Sequence, residues 1–204
     1  MTPSLAIDHA VIAVGDLAAA ARDFAELGFT LTPLGRHSIG SRNRCIMLGS
    51  SYVELLEPAG EHPWLAYYRD FLARGDGLAA LGLATSDADA SYRDLVAQGV
   101  AAQPVMDLAR PVEVAGGASA LARFRLVQVS REVFLCQHLT RELVWRCEWQ
   151  AHANGATELA EVHFPSAAPL PGAPRSVRWQ SPPALRLSGF KATVQLHGVT
   201  LAGG

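Results

Sequence analysis

Two stretches of this chain carry the same pattern at a fixed offset, and such a repeat leaves few folds open. Leu5 to Val14 (LAIDHAVIAV) is a short apolar run rich in β-branched residues, the mark of a buried strand. Asp16 follows as a side-chain N-cap for a helix from Leu17, in which Leu17, Ala20, Ala21, Phe24 and Leu27 recur at helical spacing as one apolar stripe. Gly28 is the residue that accepts positive φ at the helix end. At an offset of 71 (Asp16 to Asp87) the pattern returns: Ala80–Thr85 is a second apolar run, Asp87 a second N-cap, and Gly99 a second terminal glycine. The Asp-to-Gly interval is 12 residues in both copies, and Arg22-Asp23-Phe24 corresponds to Arg93-Asp94-Leu95.

Three strand-like segments follow each helix. They are Phe29–Pro33, Arg44–Leu48 and Tyr52–Leu56 in the first copy, and roughly Gln103–Asp107, Leu121–Val129 and Val133–His138 in the second. The expected fold class is therefore α+β, built from paired βαβββ modules with a β-rich C-terminal extension. The modules span 5–57 and 78–140. A helix within 58–77, marked by Trp64, Leu65, Tyr68, Phe71 and Leu72, links them. Residues 141–204 form the extension, a partial β module. Glu158–Phe164, Ala184–Leu187 and Lys191–Leu196 read as strands there, separated by a proline-rich stretch from Pro165 to Pro174. The extension lacks an Asp-helix-Gly segment, so it is read as a sheet that covers the pair or mediates self-association. Two curved sheets side by side, each with its helix on the outside, leave a cupped cavity suited to a small ligand.

Half of the 204 residues are hydrophobic and 18% are charged, enough apolar material for a substantial core. A formal charge of −2 with scattered Lys and Arg leaves no electrostatic footprint for nucleic acid. No apolar run approaches the ~20 residues of a membrane span. The start, from Met1 to His9, lacks the basic-then-apolar order of a secretory signal. The three cysteines, Cys45, Cys136 and Cys147, are far apart and form no CxxC, which argues against a disulfide framework or a structural zinc site. The expectation is a cytoplasmic protein with reduced thiols.

Along the last strand of the first module, residues at even separation share a face, so Tyr52, Glu54 and Leu56 point together. A carboxylate in so apolar a strand demands a metal, an arginine or a hydrogen-bond network. Arg36, His37, Arg42 and Arg44 gather in one loop, either as an anion clamp or as a solvated loop. Tyr52, Trp145 and Trp149 either line a pocket or belong to the core. His62, His152, His163 and His197 have no carboxylate at an interpretable spacing. Phosphate loops, GxSxG elbows and HExxH motifs are absent.

The run Ile7-Asp8-His9-Ala10-Val11-Ile12-Ala13-Val14-Gly15-Asp16-Leu17 resembles the opening module of the vicinal-oxygen-chelate (glyoxalase-like) superfamily. Leu27-Gly28-Phe29-Thr30, Gly35-Arg36-His37 and Tyr52-Val53-Glu54-Leu55-Leu56 continue the likeness. Phe134-Leu135-Cys136-Gln137-His138 and Glu142-Leu143-Val144-Trp145 resemble a bacterial glyoxalase-like subgroup, and the likeness covers about residues 5 to 164. The resemblance implies a divalent metal in the cup (Fe, Mn, Zn or Ni) that chelates adjacent substrate oxygens. His9 matches the first-strand ligand position and Glu54 the last-strand one. The counterpart of His9 in the second module is Ala80, which binds no metal. Aligning Tyr52 with Phe134 sets Cys136 opposite Glu54 and His138 two residues on, making His138 a third candidate ligand and Cys136 a weaker one. Arg36, His37, Tyr52 and Cys136 are the candidate substrate contacts.

Two functions from different classes follow. One is a metal-dependent lyase, isomerase or dioxygenase acting on a small oxygenated metabolite, with Glu54 a general base if it is free of metal. The other is a metal-free binding protein, favoured by Ala80 and the apolar content. A third, structural role would use the extension for assembly, and a homodimer is left open.

Overall fold

The computed structural model describes residues 5–114, 117–166, 170 and 172–204. The first four residues of the start read above, and part of the proline-rich stretch 165–174, lie outside the described residues.

The first module runs β1 (Ala6–Ala13), α1 (Leu17–Glu26), β2 (Gly35–Arg36), β3 (Arg42–Met47) and β4 (Tyr52–Glu57). A single 3-10 turn (Pro63–Leu65) and α2 (Ala66–Leu72) lead to the second: β5 (Gly77–Ala84), α3 (Ala88–Ala97), β6 (Met106–Glu113), β7 (Ser119–Gln128) and β8 (Val133–His138). The eight strands form one sheet in the order β2-β3-β4-β1-β5-β8-β7-β6, joined at its centre by antiparallel β1 and β5. The sheet curls until its ends nearly meet: Ser38 N–H donates to the Ala109 carbonyl at 2.8 Å across the seam between the β2 loop and β6.

The two module helices, α1 and α3, are capped as their sequences demand. Asp16 accepts from the Ala19 N–H and Asp87 from the Ala90 N–H, each at 2.9 Å, and Gly28 and Gly99 close the helices at φ +83° and +79°. The expected strand at Phe29–Pro33 does not form; β2 is two residues long and begins at Gly35. His152 Nδ1 takes the Thr30 N–H at 3.0 Å and Pro33 has no N–H to give, so this segment meets β3 at Thr32 alone, whose N–H donates to the Cys45 carbonyl at 2.9 Å. Likewise β6 begins at Met106, later than the Gln103 start expected.

Strand alternation separates two cores. Ala10, Ile12, Val53, Leu55, Leu81 and Leu83 face the convex side, while Val11, Ala13, Tyr52, Leu56, Phe134 and Cys136 face the cup. Each central strand breaks the alternation once. The pairing skips Asp8 on β1 and Ala79 on β5, residues related by the same 71-residue offset, so the β-bulge is repeated along with the module. At each bulge two successive residues face the cup: Asp8 with His9, and Ala79 with Ala80.

The C-terminal segment forms a second sheet of β9 (Glu158–Phe164), β10 (Val177–Trp179), β11 (Ala184–Ser188), β12 (Thr193–Leu196) and β13 (Val199–Gly203), ordered β10-β9-β11-β13-β12. Its Val162, Phe164, Leu185, Phe190 and Leu201 extend the convex core that α1 and α3 also cover.

Candidate active site in the cup

The cup holds an unusual share of the buried polar groups: Asp8, His9, Asn43, Glu54 and Arg110 are each at most 5% exposed. His9 stands at the bulge of β1, directly across from Gly82 on β5. A Cβ at Gly82 would lie 2.7 Å from His9 Cε1 and 2.9 Å from Nδ1, so a glycine is what lets the imidazole lie over β5. The other face of the ring stacks on Tyr52, centroids 4.4 Å apart and planes 9° apart, and Phe134 meets its edge.

Asp8 organises two histidines. Its Oδ1 is 2.5 Å from His9 Nδ1 and 3.0 Å from His138 Nε2. Burial alone would raise the Asp8 carboxyl, but its bonds to His138 and His9 outweigh this and hold it well below the ordinary carboxylate value of 3.8. An ionised carboxylate only accepts, so both rings donate to it. His9 Nε2 and His138 Nδ1 are thereby left as the uncommitted nitrogens. His138 Nδ1 is buried without a hydrogen-bond partner, in a ring packed against Phe124 and Trp145.

Asp8 escapes sequence reading because strict alternation turns it to the convex side. Only the bulge brings it in. The expected alignment of Glu54 with Cys136 is corrected by the register. Val11 pairs with Glu54 and its counterpart Gly82 pairs with Phe134, so Phe134 occupies the second module's Glu54 position.

Glu54 lies across the cup from that bulge. Its Oε1 accepts from Asn43 Nδ2 at 2.7 Å, and its Oε2 is 3.6 Å from His9 Nε2. Two donors each about 2.1 Å from a tetrahedral divalent ion lie about 3.4 Å apart, so this pair suits one cation. The Nδ1 bond to Asp8 supplies the outer carboxylate that usually orients a ligating imidazole. A second group, Asp8, His9 and Cys136, has ligand atoms all within 4.8 Å. It is the poorer set: Asp8 already holds two histidines, and burial followed by the charges of Asp8 and Glu54 pushes the Cys136 thiol well up.

His9, Glu54, His37, Tyr52, Cys136 and Arg110 border a cavity of about 40 Å³ beneath Leu65, Tyr68 and Val144. His37 is pushed down to about 4, first by burial; Arg110 reinforces this and Glu54 opposes it, so it meets the cavity as a neutral imidazole. Burial likewise raises the Cys45 thiol to about 12. The expected arginine cluster disperses. Arg36 is exposed, Arg42 pairs with Glu57, and Arg44 donates to the Thr32 carbonyl at 3.0 Å; none borders the cavity. The guanidinium that does so, Arg110, comes from the middle of β6 in the second module. No motif marks it, although its period-2 spacing from Leu108 and Val112 is the signal of an inward position.

The remaining histidines lie elsewhere. His152 joins Thr30 to the Met47 carbonyl, His163 pairs with Glu161, and His197 sits between Asp76 and Asp23. Trp145 packs on Tyr52 and His138, with the Arg141 guanidinium 3.4 Å from its ring centroid.

The family model for a glyoxalase-like domain matches residues 7–179. Among solved structures, a hypothetical protein from Staphylococcus aureus is similar with a TM-score of 0.52 at 16% identity, a likeness of fold alone. The match covers 66% of this chain and 59% of that one, so it spans less than two thirds of that protein. Methylmalonyl-CoA epimerase from Mycobacterium tuberculosis is similar with a TM-score of 0.49 at 24% identity, over 68% of this chain and 90% of its own. No curated protein matches the chain.

Proposed function

We propose, since this chain belongs to the glyoxalase-like domain family, that it is a divalent-metal-assisted lyase or isomerase acting on a small oxygenated metabolite inside the cup. The observation that carries the reading is the buried carboxylate of Glu54, whose Oε1 is held by Asn43 while its Oε2, 3.6 Å from His9 Nε2, has no hydrogen bond among the described residues. His9 and Glu54 would hold the ion. Bound there, it would stabilise negative charge developing on adjacent substrate oxygens.

The chain's own groups supply the rest. Asp8 fixes the His9 ring so that Nε2 looks into the cup. Asn43 holds Oε1 of Glu54 and leaves Oε2 turned toward His9 Nε2 as the ligand oxygen. Tyr52 and Phe134 confine the ring, and Leu65, Tyr68 and Val144 restrict water. With about 40 Å³ of space, the cup suits an occupant of a few heavy atoms.

The test is metal content by elemental mass spectrometry after loading with iron, manganese, zinc or nickel. Stoichiometric metal in the wild type, lost in a His9→Ala/Glu54→Gln double variant, is the expected result. No uptake in either would sink this reading.

A second reading, a metal-free binding protein, is favoured by the second module, where Ala80 and Phe134 hold the His9 and Glu54 positions and offer no ligand. It requires thermal stabilisation by a small ligand that is indifferent to chelator.

A further inference from the structure

Arg110 is 5% exposed, and among the described residues its guanidinium makes no hydrogen bond or ion pair. It stands on β6 between Leu108 and Val112, which face the cup core, and borders the cavity that Glu54 and His9 also border. Every other arginine of the cup's own strands β2–β4 and β7 that has a nearby acid uses it: Arg42 pairs with Glu57, and Arg125 with Asp89 and Asp107. The guanidinium is nearly enclosed but keeps a little accessible surface, and with no counter-charge bonded to it an anion brought to that surface is stabilising.

We propose that Arg110 is the anion anchor of this site and that its ligand is a small carboxylate bearing a second oxygen on the adjacent carbon. The inference deepens the functional reading above and rests on it for the cup being the substrate site. The planar fork of arginine matches a carboxylate with two parallel N–H···O bonds. The walls beside it, His37 as a neutral imidazole and Cys45 as a neutral thiol, offer no rival anion. A carboxylate docked on Arg110 would place the neighbouring oxygenated carbon toward Glu54 and His9 on the same cavity. Arg110 is thus a specificity residue contributed by the module that lacks the histidine.

The experiment measures binding of pyruvate, glycolate and oxalate by calorimetry, with the neutral pyruvamide and inorganic phosphate as comparisons, in the wild type and in Arg110→Met. Wild-type protein is expected to prefer pyruvate over pyruvamide at least about ten-fold, and Arg110→Met to abolish that preference. Relieved of an unpaired buried cation, ligand-free Arg110→Met should also melt a few degrees higher, whereas a merely structural arginine would lower the midpoint. If the Met variant does not fold, the neutral Arg110→Gln makes the same comparison. The proposal is overturned if none of the carboxylates binds the wild type, if the preference survives in the variant, or if phosphate binds more tightly than pyruvate through Arg110. Manganese binding is followed in parallel. A wild type that takes up neither manganese nor iron, zinc or nickel defeats the metal-assisted reading while leaving the Arg110 result intact. Manganese uptake with no charge preference defeats only the anchor.

Discussion

Asp8 touches two histidines from two strands, and this makes it the residue whose removal should disturb the cup most. Asp8→Asn replaces the ionised oxygen that both ring N–H groups share with a neutral amide oxygen, so both charge-assisted bonds are lost. The expected cost is about 3 kcal/mol of stability, with loss of metal uptake; chemical denaturation and metal analysis check both. Gly82 makes the complementary case by size alone. Tyr52 and Asp8 pin the His9 ring, so it cannot retreat from an added methyl, and Gly82→Ala should cost about 1–3 kcal/mol and weaken metal uptake together. At this scale the sequence is informative wherever simple alternation holds. His9, Tyr52, Glu54 and Cys136 all face the cup as their spacing implies, and Glu54 has the partner that its apolar strand called for. Asp8 and Arg110 were not legible, because a bulge hid the first and the second bears no motif.

Among the elements, the repeat was readable because N-cap aspartates and terminal glycines are local signals that do not depend on partners. Strand ends were less so. In Phe29–Pro33 the Thr30 N–H goes to His152, a residue more than a hundred positions away, and the Thr32 N–H alone reaches β3. The hairpin between β12 and β13 is set more simply. His197 and Gly198 both have positive φ, 44° and 68°, as a tight two-residue turn requires. His197 then uses both ring nitrogens, on Asp76 at 2.7 Å and Asp23 at 3.0 Å, while stacking on Phe24. This turn ties the C-terminal sheet to the first helix and to the linker. His197→Ala should cost about 1–3 kcal/mol, and hydrogen exchange should quicken in β12 and β13 well before the cup strands.

For the molecule as a whole, two buried groups set the response to acid. His37 has its value depressed from 6.5 to about 4, so the unfolded chain binds its proton first as the pH falls. Stability is full above 6.5 and declines between 6.5 and about 4, by at most about 3 kcal/mol. Asp8 is also depressed, and its contribution is present above 3.8 and lost as the pH drops below that value. Melting temperatures should therefore hold from pH 7.5 to about 6.5 and fall from there to 4, and His37→Gln should flatten that fall. No described helix is long and apolar enough to cross a membrane, in keeping with the absence of an apolar run of that length in the sequence.

The paired bulges carry one more consequence. In one half, a histidine rests on a glycine; in the other, related by the same offset, an alanine faces Val11. The repeat thus presents two bulges of the same register, one wired and one blank. Ala80→His with Val11→Gly would copy the wiring into the blank socket. The same offset that exposed the repeat therefore marks Ala80, opposite Val11 on the central strand pair, as the position where a second imidazole would be introduced.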